Sequence, residues 1–371
     1  MLRRTLITPT VFLALVALTG CTAQPSAEPS ASATAAPTAA GPTAATSLYT
    51  CDDLASLDDV AHALVSFDGT VPTPVAAIQP STTLTDYAVP AIGGLSCSWR
   101  VGAAAGNPVE YSAAADWAYL TVQVVPGGAD SWAPYALGDG PADTLTDIDG
   151  RKAATGCGDP GCFVSAPVGD AWVEIAMNTI WFGIDEGRFA GMPTDAILAQ
   201  LEPFAASVFT ALTDADPSQL VWPAVDLVER DPACTGALKP QGVAMALGVD
   251  SLEYEIFDSS TSDPIYFDAY VAQRAGIFSC SVRAAGVMGT SISVGYGLGG
   301  VVDTMVSTPD AQAALPAIAL EGAAVGERAV QVCADTSGWC TVIFSLGQSA
   351  YQVESRTDAV AVAEAIIAQA R

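Results

Sequence analysis

Histidine is all but missing from this chain: His62 is the only one among 371 residues. Lysine is nearly as scarce, with Lys152 and Lys239 alone against eleven arginines. A single histidine disfavours Ser-His-Asp chemistry and leaves histidine-rich metal sites without ligands. No Gly-x-Ser-x-Gly elbow and no phosphate-cradling Gly-rich Lys-Ser/Thr loop is present. The 13 basic residues face 40 acidic ones, for a net charge of −27. A field of that sign repels nucleic acid and anionic headgroups and keeps the chain soluble. Long apolar runs are also missing. The longest, Leu6 to Leu18, falls short of the roughly 20 residues a membrane-spanning helix needs.

That short run follows Met1-Leu2-Arg3-Arg4 and precedes Leu18-Thr19-Gly20-Cys21. A basic start, an apolar stretch and a small residue before cysteine read as an export leader. The last four residues resemble the lipobox of bacterial lipoproteins, which implies cleavage before Cys21 and diacylglycerol on its sulfur. An ordinary secreted chain with an incidental Cys21 is the plainer alternative. Residues 22–47 are mostly Ala, Ser, Thr and Pro with no apolar periodicity. Such a tract cannot repay the entropy of ordering and reads as a tether. From Cys21 onward the chain holds 11 basic and 40 acidic residues, a net of −29.

The other eight cysteines form two matching sets: Cys51, Cys97, Cys157, Cys162 and then Cys234, Cys280, Cys333, Cys340. An offset of 183 superposes Cys51 on Cys234, Leu64 on Leu247, Gly93 on Gly276 and Cys97 on Cys280. Smaller offsets of 176 and 178 carry Cys157 onto Cys333, Val164 onto Val342 and Gly169 onto Gly347. The spacing points to a duplicated domain, with longer loops in the first copy. In an exported chain the eight are best read as four disulfides, since neither close pair has the redox Cys-x-x-Cys spacing. Four cysteines allow three connectivities per copy. The order of elements favours Cys51–Cys97 with Cys157–Cys162, and Cys234–Cys280 with Cys333–Cys340.

Each copy reads as an opening helix, a long variable loop, several antiparallel strands and a closing helix. The fold class is therefore α+β, each sheet packed by N- and C-terminal helices. The opening helix carries Leu54, Leu57, Ala61 and Leu64 in the first copy, and Val243, Met245 and Leu247 in the second. The expected organisation is a leader over 1–20, lipidated Cys21 and tether over 21–47, one α+β domain over 48–216 and another over 217–371.

Candidate chemistry is sparse. His62 could act as a base, but its counterpart is Met245, so a boundary side chain serves there equally well. Arg100 and Arg283 are equivalent and could grip an anion, or could pair with nearby acids. Asp139, Asp143, Asp147 and Asp149 lack the Asp-x-Asp-x-Asp-Gly spacing of a calcium loop. Trp99 and Trp172 alternate with apolar residues and belong in a core. Trp181 and Phe182 sit in a stretch particular to the first copy, and Trp222 lies where the copies meet. These three are the expected contact residues.

The lipobox and tether, Cys51 opening a helix, and Cys97-Ser98-Trp99 together resemble a group of actinobacterial cell-surface lipoproteins. Some of these are similar to PsbP-like sandwiches. The second copy departs from the pattern, with Val282 where the first has Trp99. The resemblance implies a lipid-anchored protein on the outer face of the membrane. The expected role is non-catalytic binding or scaffolding of an envelope protein, glycan or small ligand, without cofactor, metal or nucleic acid. The alternative is a carboxylate-based envelope hydrolase. Two facing carboxylates with raised pKa in a deep cleft would favour the enzyme, and a shallow groove would favour binding.

Cys21→Ala should block lipidation, so that the protein is released from the membrane or stalls as precursor. Cell fractionation and N-terminal mass spectrometry check this. Undiminished membrane retention, with no lipid on the wild-type N-terminus, would refute it.

Overall fold

Alternation of apolar and polar residues builds two sheets. In Leu95–Val101, Cys97, Trp99 and Val101 are buried while Ser96, Ser98 and Arg100 between them are less so. The structure is a computed structural model. It describes residues 49–77, 83–102, 117–135, 145–158, 161–178, 187–216, 234–257, 265–287, 289–307, 315–333 and 338–371. The leader, Cys21 and the tether lie outside the described residues.

Sheet one contains β1 (Val75–Ala76), β2 (Leu95–Val101), β3 (Ala118–Val125), β4 (Thr146–Ile148), β5 (Arg151–Cys157), β6 (Gly161–Val168) and β7 (Ala171–Asn178). Its order is β1-β2-β3-β7-β6-β5-β4. Sheet two contains β8 (Glu253–Phe257), β9 (Ile277–Arg283), β10 (Ser291–Gly295), β11 (Ala317–Ile318), β12 (Ala329–Cys333), β13 (Cys340–Leu346) and β14 (Ser349–Ser355). Its order, β11-β12-β13-β14-β10-β9-β8, read backwards repeats sheet one strand for strand. All ladders are antiparallel. The fold is α+β with two similar sheets, as the repeated spacing implies.

One face of sheet one is covered by α1 (Cys51–Leu54), α2 (Leu57–Ala63) and α4 (Thr194–Asp214). The opening helix expected as one piece is two. Ser56 breaks it by accepting the Asp59 N–H at 3.1 Å, which caps a new helix. That shift leaves Leu57 49% exposed rather than on the buried face. The helix α4 buries Ile197, Leu201, Phe204, Ala205, Val208, Phe209 and Leu212, a stripe at three- and four-residue spacing. It is long and apolar enough to cross a bilayer, but this stripe lies in the core of sheet one. Trp99, expected in a core, is buried there and meets Phe204 edge-on, ring centres 6.3 Å apart.

Sheet two has the corresponding cover from α5 (Cys234–Ala237), α6 (Pro240–Ala246) and α9 (Ala359–Ala370). Asp358 caps α9 by accepting the Ala361 N–H at 2.9 Å. Val243 and Leu247 are buried as expected, but Met245 is 72% exposed because it falls on the far side of the short helix.

The long variable loops before β2 and β9 are a correction to the sequence reading. They contain helices: α3 (Ala88–Ala91), preceded by a tight turn at Thr85–Tyr87, and α7 (Phe267–Arg274). A further helix, α8 (Gly299–Ser307), follows β10. These elements fill a third core between the halves. Leu84, Val89, Phe163 and Trp172 from the first half join Phe267, Tyr270, Val302, Val330 and Ile343 from the second. Their apolar residues are spread over short segments with Ala and Pro, so no helical period stands out.

The four disulfides are Cys51–Cys97, Cys157–Cys162, Cys234–Cys280 and Cys333–Cys340. The long bonds tie α1 to β2 and α5 to β9. The short ones join register partners across the β5–β6 and β12–β13 hairpins. Four such bonds belong to an oxidising, extracytoplasmic compartment.

Closing a 46-residue separation removes more unfolded-chain entropy than closing one of 5. The loop-entropy model gives roughly 4 kcal/mol for the first and roughly 2 for the second. Replacing Cys51 and Cys97 by Ala should therefore lower the urea midpoint more than replacing Cys157 and Cys162. Equal losses would show that the long staples do not dominate.

Candidate functional site

The strand alternation that buries Cys280, Val282, Ile292, Val294 and Val353 on one face of sheet two places serines on the other. Ser279 and Ser281 on β9 stand opposite Ser293 and Ser291 on β10. Beside them on β14 are Gln352 and Glu354. The hydroxyls form a network. Ser279 and Ser293 Oγ are 2.7 Å apart, Ser291 donates to Glu354 at 3.2 Å, and Gln352 Nε2 donates to Glu354 at 2.8 Å. Below the edge of this face, Thr290 and Ser355 Oγ are 3.0 Å apart and buried.

This face floors two hollows that share Ser281 and Ser291. One, of about 290 Å³, is walled by Thr83, Leu84 and Thr85 from the first half. There the Leu84 N–H donates to Gln352 Oε1 at 2.9 Å, a buried bond between the halves. The other, of about 450 Å³, runs past Arg283 to Val287, Gly289 and Trp339. A Cβ on Gly289 would lie 2.2 Å from the Trp339 ring, and φ there is +66°, so only glycine fits. Arg356 stacks over the same ring at 4.8 Å. Hydroxyls and amides that both donate and accept suit a polar ligand. No histidine or cysteine nucleophile lines either hollow.

A second polar cluster lies in the core between the halves. Glu174 is a half-buried carboxylate in the otherwise apolar β7. It accepts a hydrogen bond from Tyr135 and another from Ser165, its partner across β6. Ser165 also accepts the indole N–H of Trp172 at 2.9 Å and of Trp132 at 3.3 Å. Trp172 packs edge-on against Phe267 at 5.5 Å and tilted on Tyr270 at 5.1 Å. On α7, Asp268 stands near enough that its charge opposes ionisation of Glu174, and Asp86 does the same to Asp268. Desolvation first, and Asp268 second, push Glu174 up to about 8. Asp268 is exposed, and desolvation, then the Asp86 charge, push its carboxyl up to about 6. Burial, and next the Glu174 charge, drive the Tyr135 phenol well above its ordinary range.

Of the residues singled out from sequence, Arg283 lines the larger hollow. Trp181, Phe182 and Trp222 lie outside the described residues, as do Asp139 and Asp143. His62 is exposed, and its Nδ1 lies 2.7 Å from the Asp58 carbonyl oxygen. The arginine pair has two fates: Arg100 donates to the Gly102 carbonyl at 2.9 Å, while exposed Arg283 pairs with Glu255. Asp147 takes Lys152 at 3.1 Å and Asp149 takes Arg151 at 2.9 Å, in the β4–β5 turn. Among the described residues no group of three or more metal-ligating side chains gathers.

Two signals in the sequence could have found both clusters. Serines alternate with apolar residues in Ser279-Cys280-Ser281 and Ser291-Ile292-Ser293, and Glu174 interrupts an apolar strand. No protein-family model, curated protein or solved structure matches this chain.

Trp172 bridges the halves, so Trp172→Ala should cost about 3–5 kcal/mol. Its urea unfolding, followed by circular dichroism, should also split into two transitions as the halves uncouple. A single transition at the wild-type midpoint would show that this ring does not hold the seam.

Proposed function

We propose that the protein is a lipid-anchored envelope receptor whose serine-floored groove binds a polar ligand, a glycan segment or small hydroxylated molecule, without chemical turnover. One observation carries this reading. The groove is built from both halves, with a hydrogen-bonded hydroxyl and amide floor on sheet two and a rim at Thr83–Thr85. Preformed concave sites at domain junctions are where ligands commonly bind. The lipobox and tether would hold this groove outside the membrane, where envelope glycans are within reach. The disulfides fit that compartment.

The hydrolase reading draws on the opposed carboxyls of Glu174 and Asp268, both with raised pKa. They line neither hollow and stand among packed rings, so a substrate has no evident seat between them. The binding reading is therefore preferred.

Ser281 borders both hollows, and its side chain points away from the sheet-two core. Titration calorimetry of the full chain against cell-wall saccharides should find a binder. Ser281→Tyr should weaken that binder about tenfold or more, a change of at least ~1.4 kcal/mol, while the melting temperature holds. Binding undisturbed by Ser281→Tyr would place the ligand elsewhere. Release of reducing sugar, abolished by Glu174→Gln, would favour the hydrolase.

A further inference from the structure

The internal repeat separates what the groove inherits from what it adds. An offset of 183 carries Ser98 onto Ser281, and one of 170 carries Thr121 onto Ser291. The registers agree, since Ser98 pairs with Thr121 and Ser281 with Ser291. Hydroxyls at these places belong to both sheets, and the Ser98 and Thr121 oxygens lie 3.4 Å apart on sheet one. The next strand differs. Thr121 pairs with Ala176 on β7, whereas Ser291 pairs with Glu354 on β14. Sheet one keeps the same strand order with a methyl at that place, so the fold does not require the carboxylate.

Glu354 is half-buried and lines the smaller hollow, of about 290 Å³. Its Oε1 accepts the Gln352 amide at 2.8 Å, and its Oε2 accepts the Ser291 hydroxyl at 3.2 Å. Gln352 is itself fixed by the Leu84 N–H at 2.9 Å, so the carboxylate is held in place from the seam. Each oxygen has taken one hydrogen bond and has room for another. Among the described residues no basic side chain lines this hollow, and none forms an ion pair with Glu354. Arg283, in the larger hollow, is committed to Glu255. The smaller hollow thus carries one charge, a negative one, among serine and threonine hydroxyls.

That set of groups selects among polar ligands. An anion would meet the carboxylate head-on. Neutral hydroxyls donate to it but leave its charge unmatched in a half-buried place. An ammonium brings the opposite charge and three N–H donors, enough for Glu354 and two hydroxyl oxygens. The chain's net charge of −27 also draws cations toward it. We propose that Glu354 makes the groove selective for an amino sugar whose nitrogen is free and protonated. An N-acetylated sugar offers one N–H there and no charge. The proposal rests on the groove reading above and adds the charge of the ligand.

The test is titration calorimetry of the full chain at pH 6 against two disaccharides, one of glucosamine and one of N-acetylglucosamine. The wild type should bind the free amine about tenfold or more tighter, as a charge-assisted hydrogen bond supplies. The preference should shrink as salt is raised. Any cation is drawn to an acidic chain, so the informative comparison is with Glu354→Ala, which changes the net charge by one and copies the residue of sheet one. That variant should bind both sugars alike, at an unchanged melting temperature. Glu354→Gln keeps the side-chain shape and should do the same, which guards against an alanine variant that fails to fold. A preference surviving both variants would overturn the proposal, and so would binding of neither sugar. Equal binding of both sugars by the wild type, weakened by Ser281→Tyr, would overturn the amine selectivity and leave the groove reading standing. Binding undisturbed by Ser281→Tyr would strike at the groove itself.

Discussion

Each sheet in this protein has one face covered by its own opening and closing helices and another turned to the seam, where α3, α7 and α8 lie. Everything else follows from how the second face is closed. At the seam the Leu84 N–H reaches Gln352 on sheet two, and Phe267 and Tyr270 of α7 pack against Trp172 on sheet one. The rings of Trp172, Phe267 and Tyr270 lock within about a van der Waals contact of each other, and large aromatic side chains contribute most where they are fully desolvated. The result is three cores, two belonging to the separate halves and one to both. Without the second half, Trp172 would lose its packing against Phe267 and Tyr270.

That shared core asks little of the outer helices, which are correspondingly weak. The pieces α1 and α5 are four residues long and α2 and α6 seven, well below the length at which a helix holds itself in water. Each pair is fixed to its sheet by one long disulfide, at Cys51–Cys97 or Cys234–Cys280. The staples sit on the faces away from the seam, where packing is supplied by one long helix in the first half and a shorter one in the second. The long staples thus lie on the outer face of each sheet, within that half's own hydrophobic core.

The cysteine arithmetic made the fold legible. Equal separations of 46, two short clips and matching strand patterns gave the disulfide connectivity and a common plan for the two halves. What it could not give was the packing of α3, α7 and α8 at the seam, because a segment's destination depends on which apolar surface accepts it, and that surface is assembled from residues far apart in sequence. The sites were less legible for the same reason. His62 and Arg283 drew attention as rare residue types, yet both end in exposed, locally satisfied positions. Serines drew none, since a lone serine says nothing. Only pairing β9 with β10 turns Ser279, Ser281, Ser291 and Ser293 into one surface. Glu174 was visible as a charge in an apolar strand, but its meaning rests on Asp268, 94 positions later and on the other half.

Duplication also explains why the halves differ where they do. The core faces tolerate little change, since the same helices must pack on the same strands, and Cys97, Val122 and Ile175 meet Cys280, Ile292 and Val353 in kind. The seam-facing positions carry the divergence. Trp172 corresponds to Ala350 in the second copy, and both are fully buried in the shared core. The polar floor of the groove occupies that side of sheet two, with Gln352 turned to the visiting Leu84 backbone. On sheet one the large ring closes the equivalent space and its indole N–H is satisfied by Ser165. A polar residue at the Glu174 position is then enclosed by aromatic walls instead of opening to a hollow. Equivalent seam-facing positions thus hold Gln352 in the floor of a hollow on sheet two and half-buried Glu174, hydrogen-bonded to Tyr135, on sheet one.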